Sequence, residues 1–534
     1  MAQSDLDELI RISRIVGADP DWVQGGGGNT SVKSVDGATM FVKASGTALA
    51  AMDATRGWAE LDLAATRAVV ATPGLAELPV REREERVLDL LRAAARRPAQ
   101  VRPSVEASLH ALLDRVVIHT HPVHMTAFLA SRDSREQWRA VLEGFEEPIL
   151  YVPYVDPGYT LASVLAREIE SFEQSNGQRP RIVLLENHGL FVAAPTADGA
   201  LELHVRATAA GVKWSGRGRV NPTAEEPRPG APASASAGDA AARLVLRVRG
   251  ALLRGGAQPL LVRLDRSTIA ADLLKDERVV EMAAQGAFTP DLICYCRTYP
   301  VVFRGSDRNV WAGAVAGYRE VNGVDPRVVL VPGRGVFHVA PDVAQLKVVS
   351  ETHRLGQAAL LCSARAGGPR FLDRRQAGFI EEWEVEKFRA DLVAGPARPL
   401  AGRVAVIVGG AGSGGAGSGV GSRVGSWKSA LESAGAVVAA TSAAQLSTVV
   451  SECGGLDVVV DADAELTPTS SFLIDLMALF AMQDAEGTIV VAGRRDDEVA
   501  VLAGPGRLAG VSVRGLPAGD DPGAALVSLL TPAT

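Results

Sequence analysis

The sequence predicts an α/β protein built in several domains, and three observations carry that reading. Short apolar, β-branched runs bounded by Pro or Gly alternate with stretches of helical spacing. The chain has 534 residues, too many for one hydrophobic core. Near residue 403 an apolar strand runs into a glycine-rich turn. Hydrophobic residues make up 47% and charged residues 22%, the balance of a folded rather than a disordered chain.

The N-terminal MAQSDLDELIRISRIVG is an acidic amphipathic helix pattern and not the basic, apolar sequence of a signal peptide. Residues 24–33, QGGGGNTSVK, form a turn in which glycines let the backbone approach an anion, with Asn29, Thr30 and Ser31 as donors. A strand-like MFVK leads into a second small-residue turn at 43–47. Residues 106–113 have helical spacing, 116–119 read as a strand, and 182–185 as a buried strand between Pro180 and Gly189. Strands interleaved with helices make this segment α/β or α+β.

Composition breaks at 225–241, 393–401 and 409–421 divide the chain into 1–222, a linker over 223–240, then 241–395 and 402–534. The net charge of −7 gives no basis for binding nucleic acid. No apolar run approaches the roughly 20 residues of a membrane span, so no membrane association is expected. Four cysteines in so long a chain do not describe a disulfide framework, and a reducing cytoplasm is the expected location. Cys294 and Cys296 read as strand residues with no ligand role.

Two matched pairs suggest an internal duplication. IHTHPV at 118–123 resembles CRTYPV at 296–301, and IVLLENHGLFV at 182–192 resembles VVLVPGRGVFHV at 328–339. On this alignment Arg297, Tyr299 and Arg334 stand where His119, His121 and His188 stand in the first copy, so 241–395 would bind no metal there.

Chemistry concentrates at 102–124. In a strand, side chains two apart share a face, so His119 and His121 can reach one ion together. His188, where a strand ends against Gly189, supplies a third imidazole, and three imidazoles with an open position suit catalytic zinc. Glu106, one element upstream, can complete the coordination or act as a base beside the metal. His110, one helical turn later, is placed to hydrogen-bond Glu106. His124 reads as substrate-facing or structural, and His204, His338 and His353 receive no role.

GGGNTS, the SGT turn, SVE, HTHP and ENHGL occur in the order of the class II aldolase/adducin family, which residues 5–215 resemble. RPSVEASLHALL and PYVDPGYTLA are most similar to its bifunctional rhamnulose-1-phosphate aldolase/alcohol dehydrogenase branch, and segments such as TPDLICYCRTYP and PGRGVFHVAPD extend the likeness to about residue 395. The resemblance implies a three-layer α/β/α domain followed by a second, metal-less aldolase-like half. It implies zinc, or another divalent metal, on His119, His121 and His188, with Glu106 as acid/base, and phosphate binding by Gly28, Asn29, Ser45, Gly46 and Ser104. The implied substrate is a small sugar phosphate: a ketose 1-phosphate such as rhamnulose 1-phosphate, cleaved to dihydroxyacetone phosphate and an aldehyde. A homo-oligomer, commonly a tetramer in the family, is implied too. Val105 departs from the two serines that precede the glutamate in better-known members. An assisting tyrosine is frequent in the family, with Tyr154 and Tyr159 as candidates.

Residues 403–422 and 456–465 resemble short-chain dehydrogenases, here as a truncated, degenerate Rossmann-like domain. The Tyr-x-x-x-Lys pair of those enzymes is missing, for no tyrosine follows Tyr318, and no NAD-dependent activity is expected. Two alternatives accompany the lyase reading: an epimerase or decarboxylase of the same family, and a non-catalytic, adducin-like interaction protein.

Overall fold

The computed structural model describes residues 2–96, 102–220, 235–254, 258–383, 398–409, 419–442, 445–463, 466, 471–483, 487–500, 511–516 and 522–531. Most of the glycine-rich turn at 409–421 and most of the 223–240 linker lie outside them. From Ala235 onward the expected linker is already helix, Ala235–Leu253.

The strands β1 (Asn29–Lys33), β2 (Thr39–Lys43), β3 (Trp58–Asp62), β4 (Val116–Thr120), β5 (Ile149–Val152), β6 (Ile182–Leu185) and β7 (Gly189–Ala194) form a seven-stranded sheet in the order β3-β2-β1-β4-β7-β6-β5. Only its β5–β6 pair is parallel. β4, β6 and β7 are buried along their whole length, which explains their unbroken apolar runs. Alternate residues feed opposite faces. Val116, Ile118, Ile182 and Leu184 pack with Leu9, Ile12 and Phe128, while Val117, Val183 and Leu185 pack with Leu109, Leu165 and Ile169. Helices therefore cover both faces, and the expected three-layer α/β/α arrangement is present.

A second sheet contains β8 (Leu261–Asp265), β9 (Val301–Val302), β10 (Val328–Val331) and β11 (Gly335–Ala340), ordered β8-β11-β10-β9. Its β8–β11 and β10–β11 pairs are antiparallel and its β9–β10 pair parallel, repeating β4-β7-β6-β5 strand for strand. This repeat supports the duplication but corrects its register. Phe191 pairs with His119, and the corresponding Phe337 pairs with Leu264. Leu264 and, two residues on, Arg266 thus occupy the places of His119 and His121. Arg297 and Tyr299 do not: CRTYPV starts at the last residue of the helix Pro290–Cys296 and runs into β9, the counterpart of β5. A six-residue likeness carries no pairing information, whereas a strand ladder does. The same helix holds Cys294 and Cys296, which were expected on a strand.

The third sheet is wholly parallel. β12 (Val404–Val408), β13 (Val437–Thr441), β14 (Val458–Asp461), β15 (Gly487–Ala492) and β16 (Val511–Leu516) run in the order β13-β12-β14-β15-β16, a Rossmann-like arrangement.

The chain forms two compact units that interleave along the sequence. One comprises Met1–Glu225, Ser267–Tyr299 and Glu351–Val393; the other comprises Glu226–Arg266, Pro300–Ser350 and Ala394–Thr534. The segment expected as one region, 241–395, is therefore shared between them. Contacts distant in sequence, not composition, set these borders.

In the first unit, His204 is fully buried on the helix Ala197–Ser215, its Nε2 2.6 Å from Thr120 Oγ1. Burial lowers its pKa from 6.5 to about 3. The unfolded chain then binds a proton that the folded one refuses, so stability falls as pH drops from 6.5 toward 3. At pH 5 the penalty is about 2 kcal/mol. His204→Gln is expected to remove that share of the slope, read as the difference in urea unfolding between pH 7 and pH 5.

Candidate metal centre

Local structure explains how three histidines converge. His119 lies inside β4, fully buried, with its ring stacked on Phe191 at 4.0 Å. Its Nδ1 lies 3.0 Å from the Leu190 carbonyl oxygen. That acceptor takes the Nδ1 proton and leaves Nε2 as a lone pair. Burial also holds the imidazole well below its usual pKa, hence neutral, the form a metal requires. His121 follows one residue beyond β4, and its backbone N–H donates to Trp22 O at 3.1 Å.

His188 sits in the tight turn between β6 and β7. The turn needs Asn187 at a φ of 58°, a left-handed conformation that asparagine tolerates better than most residues. It also needs Gly189, where a Cβ would lie 2.5 Å from Thr120 O and 2.6 Å from His121 Cδ2.

His119 and His121 bring their Nε2 atoms to 3.0 Å, and one ligand nitrogen from each of the three histidines lies within 4.8 Å of the others. Tetrahedral zinc needs nitrogens about 3.4 Å apart for Zn–N bonds of about 2.0–2.1 Å. The donor set and its spacing fit a divalent ion. Among the described residues this is the one such group of three.

Glu106 stands at the N-cap position of the helix Ala107–Leu112. Its Oε1 lies 3.5 Å from His119 Nε2 and 3.9 Å from His188 Nε2. Oε2 accepts from Asn29 Nδ2 at 3.1 Å, and the same amide donates to Ser104 Oγ at 2.8 Å. Asn29 arrives through the β1–β4 ladder, paired with His119. Gly28 has a φ of 66°, and a Cβ there would sit 3.3 Å from His119 O. Gly28, Asn29, Ser104 and Glu106 are thus brought together beside the histidines. Ser45 and Gly46 form the turn after β2, and Ser45 N donates to Arg102 O at 2.9 Å, tying that turn to the segment leading into Ser104.

Other expectations change. His110 places its ring Nδ1 2.9 Å from Ser31 Oγ, and only its backbone N–H bonds Glu106 O, at 3.1 Å. His124 is buried, 2.9 Å from Ser215 Oγ, which makes it structural. Tyr159 is buried and directs its hydroxyl to Val70 O at 3.4 Å. Burial drives the Tyr154 phenol above its ordinary pKa. Val105 packs on Trp383 and Phe379, so an apolar contact stands where a second serine would offer a donor.

Sequence reasoning missed two residues. Lys43 is buried and donates to Gly26 O at 3.0 Å, holding the glycine turn; the strand pattern MFVK hid it. Asp291 lies 2.5 Å from His121 Nδ1. Its only local signal is the Thr-Pro-Asp start of a helix.

Residues 7–210 match the family described as Class II Aldolase and Adducin N-terminal domain. The chain is 23% identical over 448 residues to the "Uncharacterized oxidoreductase YuxG" of Bacillus subtilis (strain 168), a stretch covering 76% of this chain and 61% of that protein. Solved structures similar to part of the chain include the N-terminal class II aldolase domain of a conserved protein from Thermoplasma acidophilum, at 27% identity, 39% of this chain, 93% of that one and a TM-score of 0.33. An L-fuculose-1-phosphate aldolase from Thermus thermophilus matches at 19% identity, 40% of this chain, 100% of that one and a TM-score of 0.24. No described helix is long and apolar enough to cross a membrane. With the three-layer sheet, the histidine cluster and the family match in agreement, residues 7–210 of this chain are a class II aldolase/adducin domain.

Proposed function

We propose that the protein is a divalent-metal-dependent aldehyde-lyase that cleaves a ketose 1-phosphate, such as rhamnulose 1-phosphate, to dihydroxyacetone phosphate and an aldehyde. The observation that carries this reading is the Glu106 carboxylate held within 3.9 Å of two of three clustered imidazoles. Zinc or a similar ion, bound by His119, His121 and His188, would supply Lewis-acid polarisation of the substrate carbonyl. Glu106 has two differently engaged oxygens: Oε2 is held by Asn29, and Oε1 faces the histidines. That fixed carboxylate suits proton movement at a single carbon. Breaking C3–C4 leaves an enediolate of dihydroxyacetone phosphate and an aldehyde. The net proton transfer runs from the C4 hydroxyl to the enediolate carbon, without oxidation. Gly28, Asn29, Ser45, Gly46 and Ser104 are the proposed phosphate-side residues.

The parallel C-terminal sheet is assigned no dehydrogenase role, since no tyrosine follows Tyr318. We further read the protein as cytoplasmic and as a homo-oligomer.

The test is a panel of ketose 1-phosphates offered to the purified full-length protein, scored for dihydroxyacetone phosphate. Release that stops with chelator and returns with zinc is expected. Inversion at C4 or loss of carbon dioxide without that product would replace the lyase assignment. Protein that holds no divalent ion would overturn the metal reading, and reduction of NAD or NADP would overturn the assignment of the C-terminal sheet.

A further inference from the structure

The helix Pro290–Cys296 lies beyond the residues that match the family, yet it belongs to the same compact unit and reaches the histidine cluster. Thr289 caps it, its Oγ1 accepting from Leu292 N at 3.4 Å, and Pro290 opens its first turn. Asp291 is consequently delivered in that first turn, 8% exposed, with Oδ2 2.5 Å from His121 Nδ1. A carboxylate only accepts, so the proton resides on Nδ1 and the His121 Nε2 lone pair faces His119 Nε2 at 3.0 Å.

The surroundings are built around this contact. The glycine turn borders the carboxylate: a Cβ on Gly27 would lie 3.6 Å from Asp291 Oδ2, in ordinary van der Waals contact. Tyr295, one helical turn after Asp291, places its hydroxyl 3.4 Å from the position a Gly26 Cβ would take. Asn187 Nδ2 donates to Phe288 O at 2.8 Å, joining the His188 turn to the same segment.

We propose that Asp291 is a positioning residue for the metal centre. It fixes the tautomer and ring plane of His121 and makes it the better electron donor. His119 is oriented by a neutral backbone carbonyl; His121 is oriented by a full negative charge. Metal affinity therefore depends on a residue 170 positions from its ligand, on a helix outside the family's domain. The inference rests on the reading that the three histidines bind a divalent ion.

Full-length Asp291→Ala, Asp291→Asn and Asp291→Glu proteins, stripped of metal, would be titrated with zinc against a chromophoric chelator, with a thermal melt of each apoprotein. Removal of such a partner weakens metal binding about 10–100-fold, which is the loss expected for Asp291→Ala. Asp291→Asn, which keeps the shape but not the charge, is expected near the lower end of that range, and Asp291→Glu to recover part of it. If Asp291→Ala does not fold, the near-isosteric Asp291→Asn decides. Zinc affinity equal to wild type in the folded variants, with only the melt altered, would overturn the proposal and leave Asp291 a purely structural residue. A wild-type protein that takes up no stoichiometric zinc would instead overturn the metal reading on which it rests.

Discussion

Glu106→Gln is expected to lower the turnover of carbon–carbon cleavage by about 10²–10⁴-fold, the usual contribution of a positioned acid or base, while the protein still takes up zinc. Glutamine retains the shape and can still accept from Asn29 Nδ2, which in turn bonds Ser104. It cannot carry a proton between substrate atoms at neutral pH. The three imidazoles remain, and with them the nitrogens that lie within 4.8 Å of one another. Measuring turnover and bound metal in the same preparation separates two roles for Glu106. Loss of both would make it a metal ligand first, and retention of both would remove it from the chemistry.

The second large effect concerns stability in the other compact unit. Arg249 is fully buried and uses all five of its N–H groups. They meet Leu260 O at 2.5 Å, Asp457 at 3.1 and 2.8 Å, Gln483 Oε1 at 2.8 Å and Gly402 O at 3.0 Å. Asp457 Oδ2 also accepts from Val404 N at 2.7 Å, which ties the network to the first strand of the parallel sheet. Arg249→Ala is expected to destabilise this unit by about 3–5 kcal/mol, because it takes the nearest cation from the buried Asp457 carboxylate and leaves it only the more distant, partly exposed Arg403 at 3.7 Å. Arg249→Met with Asp457→Asn should recover much of that loss, since no uncompensated charge remains. Denaturant unfolding of the three proteins checks both statements. An Arg249→Ala midpoint equal to wild type would show that water reaches Asp457 and solvates it.

Much of the histidine centre was legible in the sequence because its parts follow local rules. An apolar β-branched run predicts β4, and the period of a strand places His119 and His121 toward one side. A glycine after His188 predicts a turn, and Glu106 precedes a short helical pattern. What was not legible depends on distance along the chain. Asp291 carries no mark of its partner His121, since only folding makes them neighbours. The place of His119 in the second copy was misread as Arg297 because short sequence likeness ignores the ladder that pairs Phe337 with Leu264. The departure at Val105 has no explanation in the sequence, because Trp383 and Phe379, which pack on it, lie far along the chain. The compact units likewise do not follow the composition breaks, since two later segments return to the first unit.

That return has a consequence for synthesis. A ribosome adds about 5–20 residues per second, so the stretch from Glu225 to the last segment of the first unit takes on the order of 10–30 s to emerge. Through the first part of that interval the chain carries His119, His121 and His188 without Asp291, so the pairing of His121 with that carboxylate forms only after the Ser267–Tyr299 segment has followed.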